Sequence, residues 1–199
     1  TLSSGYTYQA APTLASVSPI AGPLAGGTTL TLTGTGYVAG ATVTVGGNPC
    51  GSLSVDSATQ ITCVNAAHAA GATDIVVTNT DTQSVTLVGG YTYRPAPVIS
   101  SVNPTGGPLG GGTTLTIIGT GFVAGATVDL GGNTLTVDSL NATQIIADTD
   151  PHGAGTVNLT VTNVDGQSDV EVGAFTYEPA PSISSVSPVA GALAGGNTL

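Results

Sequence analysis

The sequence contains no lysine, no tryptophan and no methionine, and Arg94 is its single cation against 11 acidic side chains. A formal charge of −10 argues against nucleic acid as a ligand, because binding there needs Lys and Arg to displace phosphate counterions. The same deficit argues against docking on anionic lipid. No apolar run approaches the roughly 18 residues of a membrane helix, so no membrane insertion is expected in this segment. Charged residues make up only 6% of the chain, yet hydrophobic residues reach 40%. That is enough for packed cores, since disorder pairs low hydrophobicity with high net charge. Aromatics are few (6 Tyr, 2 Phe), whereas Gly (30) and Pro (12) punctuate the whole chain.

What is present is a repeat, and self-similarity at a fixed period governs any reading of fold. Thr13 to Pro97 and Val98 to Pro181 are two copies of one unit, 85 and 84 residues long. Each opens on a Ser-Val-x-Pro turn (Ser16 to Pro19; Ser101 to Pro104). Gly26-Gly27-Thr28-Thr29-Leu30 then matches Gly111-Gly112-Thr113-Thr114-Leu115, and Gly34-Thr35-Gly36-Tyr37 matches Gly119-Thr120-Gly121-Phe122. Each closes on an aromatic-Thr-Tyr and a Pro-Ala-Pro joint (Tyr91 to Pro97; Phe175 to Pro181). Residues 1–12 read as the last strand of a preceding repeat, and residues 182–199 as the first strands of a following one. The expected organisation is two whole units and two fragments of a longer array.

Within a unit apolar residues alternate with Thr or Ser, as in Leu30-Thr31-Leu32-Thr33 and Leu159-Thr160-Val161. That period of two, rich in β-branched residues, marks half-buried strands. It predicts strands near 13–18, 28–34, 41–46, 52–56, 59–65, 72–79 and 84–93, with equivalents 84 or 85 positions later. Asp165-Gly166 between two such runs is a hairpin-turn signal. Seven short antiparallel strands per unit predict an all-β chain of tandem immunoglobulin-like β-sandwiches arranged end to end. Tyr91, Tyr93, Phe175 and Tyr177 alternate with Thr on the last strand, so they should point inward.

Val-x-Pro, Gly-Pro-Leu-x-Gly-Gly-x-x-Leu, Gly-x-Gly-(Tyr/Phe) and the closing aromatic-Thr-Tyr occur in order, twice. In these motifs the chain resembles IPT/TIG domains, the immunoglobulin-like units of plexins, some transcription factors and many bacterial surface proteins. DNA-binding members of the wider family use basic loops, which this chain does not have. The resemblance implies a module serving as spacer, stalk or adhesion element of a bacterial surface or other extracellular protein.

The joints carry the functional expectation. Tyr93, Pro95 and Pro97 at the first, and Tyr177, Pro179 and Pro181 at the second, lead from the last strand of one unit almost directly into the next. Proline fixes its own φ and biases its predecessor toward extended backbone. Two prolines in three residues act as a semi-rigid spacer, although proline also guards edge strands against aggregation. Cys50 and Cys63 occur only in the first copy, opposite Leu135 and Ala147 in the second. A disulfide between them is expected, contributing about 3 kcal/mol in the chain-entropy model; buried free thiols are the alternative. The bridge would place the chain in an oxidising compartment.

Candidate chemistry is sparse. His68 and His152 fall at the same place in each unit, in a loop where a solvent-facing role is expected, and neither has a nucleophile with an orienting partner. Asp148, Asp150, Asp165, Asp169 and Glu171 could converge on calcium, but the first copy lacks most of them, and a solvated acidic face is the simpler expectation. The Gly-x-Gly triplets precede strands rather than helices, so they read as turns or bulges, not as a dinucleotide loop. Asn141-Ala142-Thr143 and Asn158-Leu159-Thr160 have the form of glycosylation sequons. No catalytic residue, metal or cofactor is expected. The function expected is a non-catalytic structural segment of a long extracellular repeat protein, forming a semi-rigid stalk or filament at the cell surface. Its partners would be adjacent repeats of the same chain and other copies in a filament. The alternatives are a glycan- or protein-binding adhesion module, or an accessory domain of a larger secreted enzyme.

Overall fold

A computed structural model describes residues 9–187, 189 and 190. Each repeat is a sandwich of two sheets. In the first, one sheet runs in the order β1 (Thr13–Ser18), β3 (Thr29–Thr35), β7 (Gln60–Val64), β6 (Gly51–Ser57). The other runs β2 (Ala21–Pro23), β9 (Ser84–Arg94), β8 (Gly71–Thr78), β4 (Thr42–Val45), β5 (Asn48–Pro49). The second repeat reproduces both sheets. Its four-stranded sheet is β10 (Val98–Asn103), β12 (Thr114–Thr120), β16 (Gln144–Asp148), β15 (Thr136–Asn141). Its five-stranded sheet is β11 (Gly106–Pro108), β18 (Ser168–Glu178), β17 (Gly155–Thr162), β13 (Thr127–Leu130), β14 (Asn133–Thr134).

The seven expected strands per unit are all present, and each unit adds two more. β2 pairs in parallel with β9, Ala21 opposite Thr92, and β11 does the same with β18. Three residues that include Gly and Pro cannot show an alternating pattern, so this segment was invisible to periodicity. β5 is the two-residue return of a tight turn, with Val45 opposite Asn48 across Gly46-Gly47. The one-residue difference between copies lies at Asp56. Val55 pairs with Ile61 and Ser57 with Gln60, leaving Asp56 out as a bulge, whereas Leu140 and Asn141 pair with Ile145 and Gln144 without a gap.

Alternation decides what is buried. Leu30, Leu32 and Ile61 of one sheet meet Val43, Val45, Ile75 and Val77 of the other, all at 2% exposure or less. Tyr91, Tyr93, Phe175 and Tyr177 point inward as expected and are at most 1% exposed. Each such ring contributes about 1.5–3 kcal/mol by leaving water. Pairs of these rings meet edge to face at 4.9 Å, Tyr91 on Tyr93 and Phe175 on Tyr177, the arrangement their quadrupoles favour.

The Gly-x-Gly motif has a steric cause. A Cβ at Gly34 or Gly119 would collide with the carbonyl oxygen of Thr13 or Val98 on the neighbouring strand. That is where the first strand of each unit bulges, between Leu14 and Ser16 and between Ile99 and Ser101. The expected flanking strands fall mostly on residues whose structure is not described. Residues 1–8, 188 and 191–199 lie outside the described residues. Residues 182–187, expected to begin a strand, form none.

Candidate functional site: the joint between repeats

Each joint is built from the loop between the two longest strands of a repeat and from the stretch of chain that enters that repeat. In the first repeat that loop spans 79–83, and in the second 163–167. Asn79 and Asn163, each 3% exposed, anchor them from within. Asn163 Nδ2 donates to the Gly121 carbonyl at 2.8 Å while its Oδ1 accepts from Val123 N–H at 3.1 Å. Asn79 does the same with Gly36 at 2.7 Å and Val38 at 3.4 Å. The turn closes by Asn163 N–H to the Gln167 carbonyl at 2.8 Å and Gly166 N–H back to Asn163 at 2.9 Å. Gly166 sits at φ +83°, which is why Asp165-Gly166 makes the turn expected of it.

At the tip of this loop an aspartate orients a glutamine. Asp165 accepts from the Gln167 backbone N–H at 3.2 Å and from its Nε2 at 2.9 Å. The second proton of that amide goes to the carbonyl of Arg94, the last strand residue of the preceding repeat, at 3.2 Å. In the first repeat Asp81 holds Gln83 through bonds of 3.0 and 2.7 Å, and Gln83 Nε2 donates to the Gln9 carbonyl at 3.1 Å. Gln9 and Arg94 are equivalent positions one repeat apart. The clamp occurs twice on the same atoms. Its hydrogen bonds from Gln83 hold the Asp81 carboxyl below its ordinary value.

Packing complements the clamp. Pro97 and Pro12 are buried, while Pro95, Pro179 and Pro181 are exposed. A Cβ at Gly121, which adopts φ +73°, would stand 2.8 Å from the Ala96 carbonyl oxygen and 3.4 Å from Pro97 Cα. Gly36 approaches Ala11 and Pro12 in the same way. The Gly-x-Gly motif thus lets the loop of one repeat lie on the linker entering it. Beside the linker, Ile20 of the first repeat faces Val123, Ala124 and Val164 of the second across an open cleft of about 350 Å³ that also holds Arg94 and Asp165. Sequence reasoning found the prolines of the joint but missed Gln83, Gln167 and the two asparagines. The repeated Asn-x-Asp-x-Gln at 79–83 and 163–167 was the available signal.

The other expected residues fall elsewhere. Tyr93 and Tyr177 are core residues; each hydroxyl donates to a loop carbonyl, Ala66 at 2.8 Å and Asp150 at 3.0 Å. Burial raises the phenol pKa of both. The histidines lie in the expected loops and are half-exposed, with one face of each ring against a tyrosine. His68 stacks on Tyr93 at 5.0 Å and His152 on Tyr177 at 4.9 Å. Each Nδ1 donates to the next residue's carbonyl at 2.8 Å, because a carbonyl can only accept. They close one end of each sandwich. Cys50 and Cys63 come together, but as free thiols rather than as the expected bridge. The two thiols share a hydrogen bond, which lowers the pKa of Cys50 and raises that of Cys63, burial adding to the rise. Asp165 and Asp169 serve the joint end of the second repeat, Asp169 accepting from Ile99 N–H at 2.7 Å. Asp150 lies at the opposite end beneath Tyr177. Among the described residues no three His, Cys, Asp or Glu gather to hold a metal.

Two sandwiches in series, joined by a repeated clamp and holding no catalytic constellation among the described residues, define a tandem immunoglobulin-like module. The model of the IPT/TIG domain matches residues 12–93 and 97–177, so the chain belongs to that family. It is 30% identical over 190 residues to mouse (Mus musculus) fibrocystin-L, covering 94% of this chain and 4% of that protein. Against rat (Rattus norvegicus) plexin-A3 the identity is 27% over 199 residues, with 89% of this chain and 11% of that protein covered. Among solved structures, the full extracellular region of plexin A4 superposes with a TM-score of 0.55 at 24% identity, over 89% of this chain and 16% of that one. The chain thus spans only a small part of these relatives. The two matched domains occupy nearly the whole of this chain, and no catalytic constellation is present among the described residues.

Proposed function

We propose that this segment is an extracellular, semi-rigid spacer, one stretch of a stalk or filament at the cell surface whose partners are the repeats before and after it. The observation carrying this reading is the recurrence of one joint on equivalent atoms, Gln83 on Gln9 and Gln167 on Arg94. A joint that repeats its hydrogen bonds and its Gly-on-linker contact sets one orientation between neighbours, and repetition of one orientation generates an extended array. A flexible tether would need Gly and Ser, with the linker carbonyls left to water. The composition agrees, since a chain with a single cation is suited neither to nucleic acid nor to anionic lipid.

The adhesion alternative draws less support. Sugar platforms present exposed aromatics, and every aromatic residue among the described residues is buried. Backbone ¹⁵N relaxation tests the spacer. One anisotropic tumbling tensor shared by both repeats is expected, and two independent correlation times would remove the proposal. Electron micrographs of the native material, showing either rods of constant repeat spacing or isolated flexible chains, decide the filament.

A further inference from the structure

The two sequons differ in their placement, and the structure separates them. Asn141, Ala142 and Thr143 are all exposed at the tip of the hairpin joining β15 to β16. Asn141 Oδ1 accepts from the Thr143 backbone N–H at 2.9 Å and from its hydroxyl at 3.1 Å. The N–H can only donate, so the oxygen assignment is fixed and Nδ2 is the atom left facing solvent without a partner. The acceptor amide and the threonine hydroxyl of the sequon are thus held together at an exposed hairpin tip.

Asn158 sits inside β17, between β13 and β18. Its Oδ1 accepts from Gly173 N–H at 2.9 Å and its carbonyl from Gly131 N–H at 3.0 Å. Its sequon threonine, Thr160, is paired on both sides, to Asp129 and Val170. Seating this segment in a transferase would require dismantling the sheet. The first repeat carries the Asn141 turn with Ser57 in place of asparagine. Ser57 Oγ accepts from Thr59 N–H at 3.2 Å, so the geometry is there without the amide.

We propose that Asn141 is an N-glycosylation acceptor for an oligosaccharide carried on a lipid pyrophosphate. The Nδ2 nitrogen forms a bond to the anomeric carbon of the first sugar as the bond from that carbon to the pyrophosphate oxygen breaks. The lipid pyrophosphate leaves, and the amide proton passes to a carboxylate base of the oligosaccharyltransferase. The Ala142 and Thr143 carbonyls accept from Phe122 N–H at 3.3 Å and Gly119 N–H at 3.0 Å, which fixes the tip at the joint end of the second repeat. A glycan there would flank the joint. This rests on the extracellular reading, because donor and transferase meet only exported chains.

The test is secretion of the 199-residue chain from eukaryotic cells, with the purified protein treated with peptide N-glycosidase in heavy-oxygen water and mapped by mass spectrometry. The expected result is heavy-oxygen Asp at position 141, its loss in Asn141→Gln, and a new glycan on Ser57→Asn, which places an amide in the equivalent turn. Folded, unglycosylated chain given purified transferase and lipid-pyrophosphate oligosaccharide should be modified at Asn141 and not at Asn158. A secreted chain unmodified at Asn141, a Ser57→Asn chain without added glycan, or equal modification of Asn158 in the folded chain overturns the proposal. The host supplies the compartment, so such a failure counts against the site and leaves the extracellular reading standing.

Discussion

Replacing Gln167 by alanine should loosen the joint without weakening either sandwich. The side chain gives the linker one neutral hydrogen bond, Nε2 to the Arg94 carbonyl at 3.2 Å, and such bonds contribute about 0.5–1.5 kcal/mol net. At about 1 kcal/mol, the population of open joints rises about fivefold. Burial of Pro97 and contact with Gly121 persist, so the linker does not become free. Gln167→Glu should be worse, because a carboxylate would face both Asp165 and the carbonyl it can no longer donate to. Residual dipolar couplings read this directly. In the parent chain the two repeats should report alignment tensors of equal magnitude, and in both variants the magnitudes should diverge while each repeat's melting changes little. Equal tensors in all three proteins would mean the clamp holds nothing, and the spacer would have to be explained by the prolines alone.

Three further outcomes follow from the same geometry. Oxidation should join Cys50 to Cys63, removing both thiols from an Ellman titration and stabilising the first repeat by about 3 kcal/mol against dithiothreitol-treated protein; two titratable thiols after oxidation would refute it. Phe175→Ala should destabilise the second repeat by about 3–5 kcal/mol in urea unfolding, with the first repeat changed far less. The phenols of Tyr37, Tyr93 and Tyr177 are raised above the ordinary 10.0 by burial. The folded state therefore favours their neutral form, so their contribution is intact below pH 10 and lost as pH climbs through the raised values. Phenolate absorbance should appear late and together with unfolding; early, independent titration would contradict the buried placement.

Much of the fold was legible because burial on one sheet face writes a period of two into the chain. Leu30, Leu32, Val43 and Val45 show that period and lie in the core. The inward aromatics were legible for the same reason. What escaped detection has no period. β2 and β5 are too short to alternate, and β2 owes its place to a parallel pairing with residues some 70 positions away. The stacking of the histidines was not legible, because a loop position says nothing about a tyrosine ring brought beneath it by a distant strand. The joint was half legible. Proline reveals stiffness in one residue, whereas Gln167 acts on Arg94 across 73 positions and is visible only as a repeat of the Asn-x-Asp-x-Gln spacing.

The repeat also explains why so little charge suffices. In the joint the polar work is done by neutral amides: Asn163 closes the loop from inside, and Gln167 reaches the linker from outside. One carboxylate, Asp165, aims the glutamine. Neutral bonds are insensitive to salt, whereas an ion pair at the same exposed position would be screened over about 8–10 Å at physiological ionic strength. Replacing Gln167 by Lys together with Arg94→Glu, which puts an ion pair across the joint, should therefore make the joint tighten at low salt and loosen at high salt. The parent joint should keep one tensor ratio across the same range. A parent joint that loosened with salt would place its stiffness in charge, and with Arg94 as the single cation that charge would have to be the Arg94–Asp165 neighbourhood of the cleft.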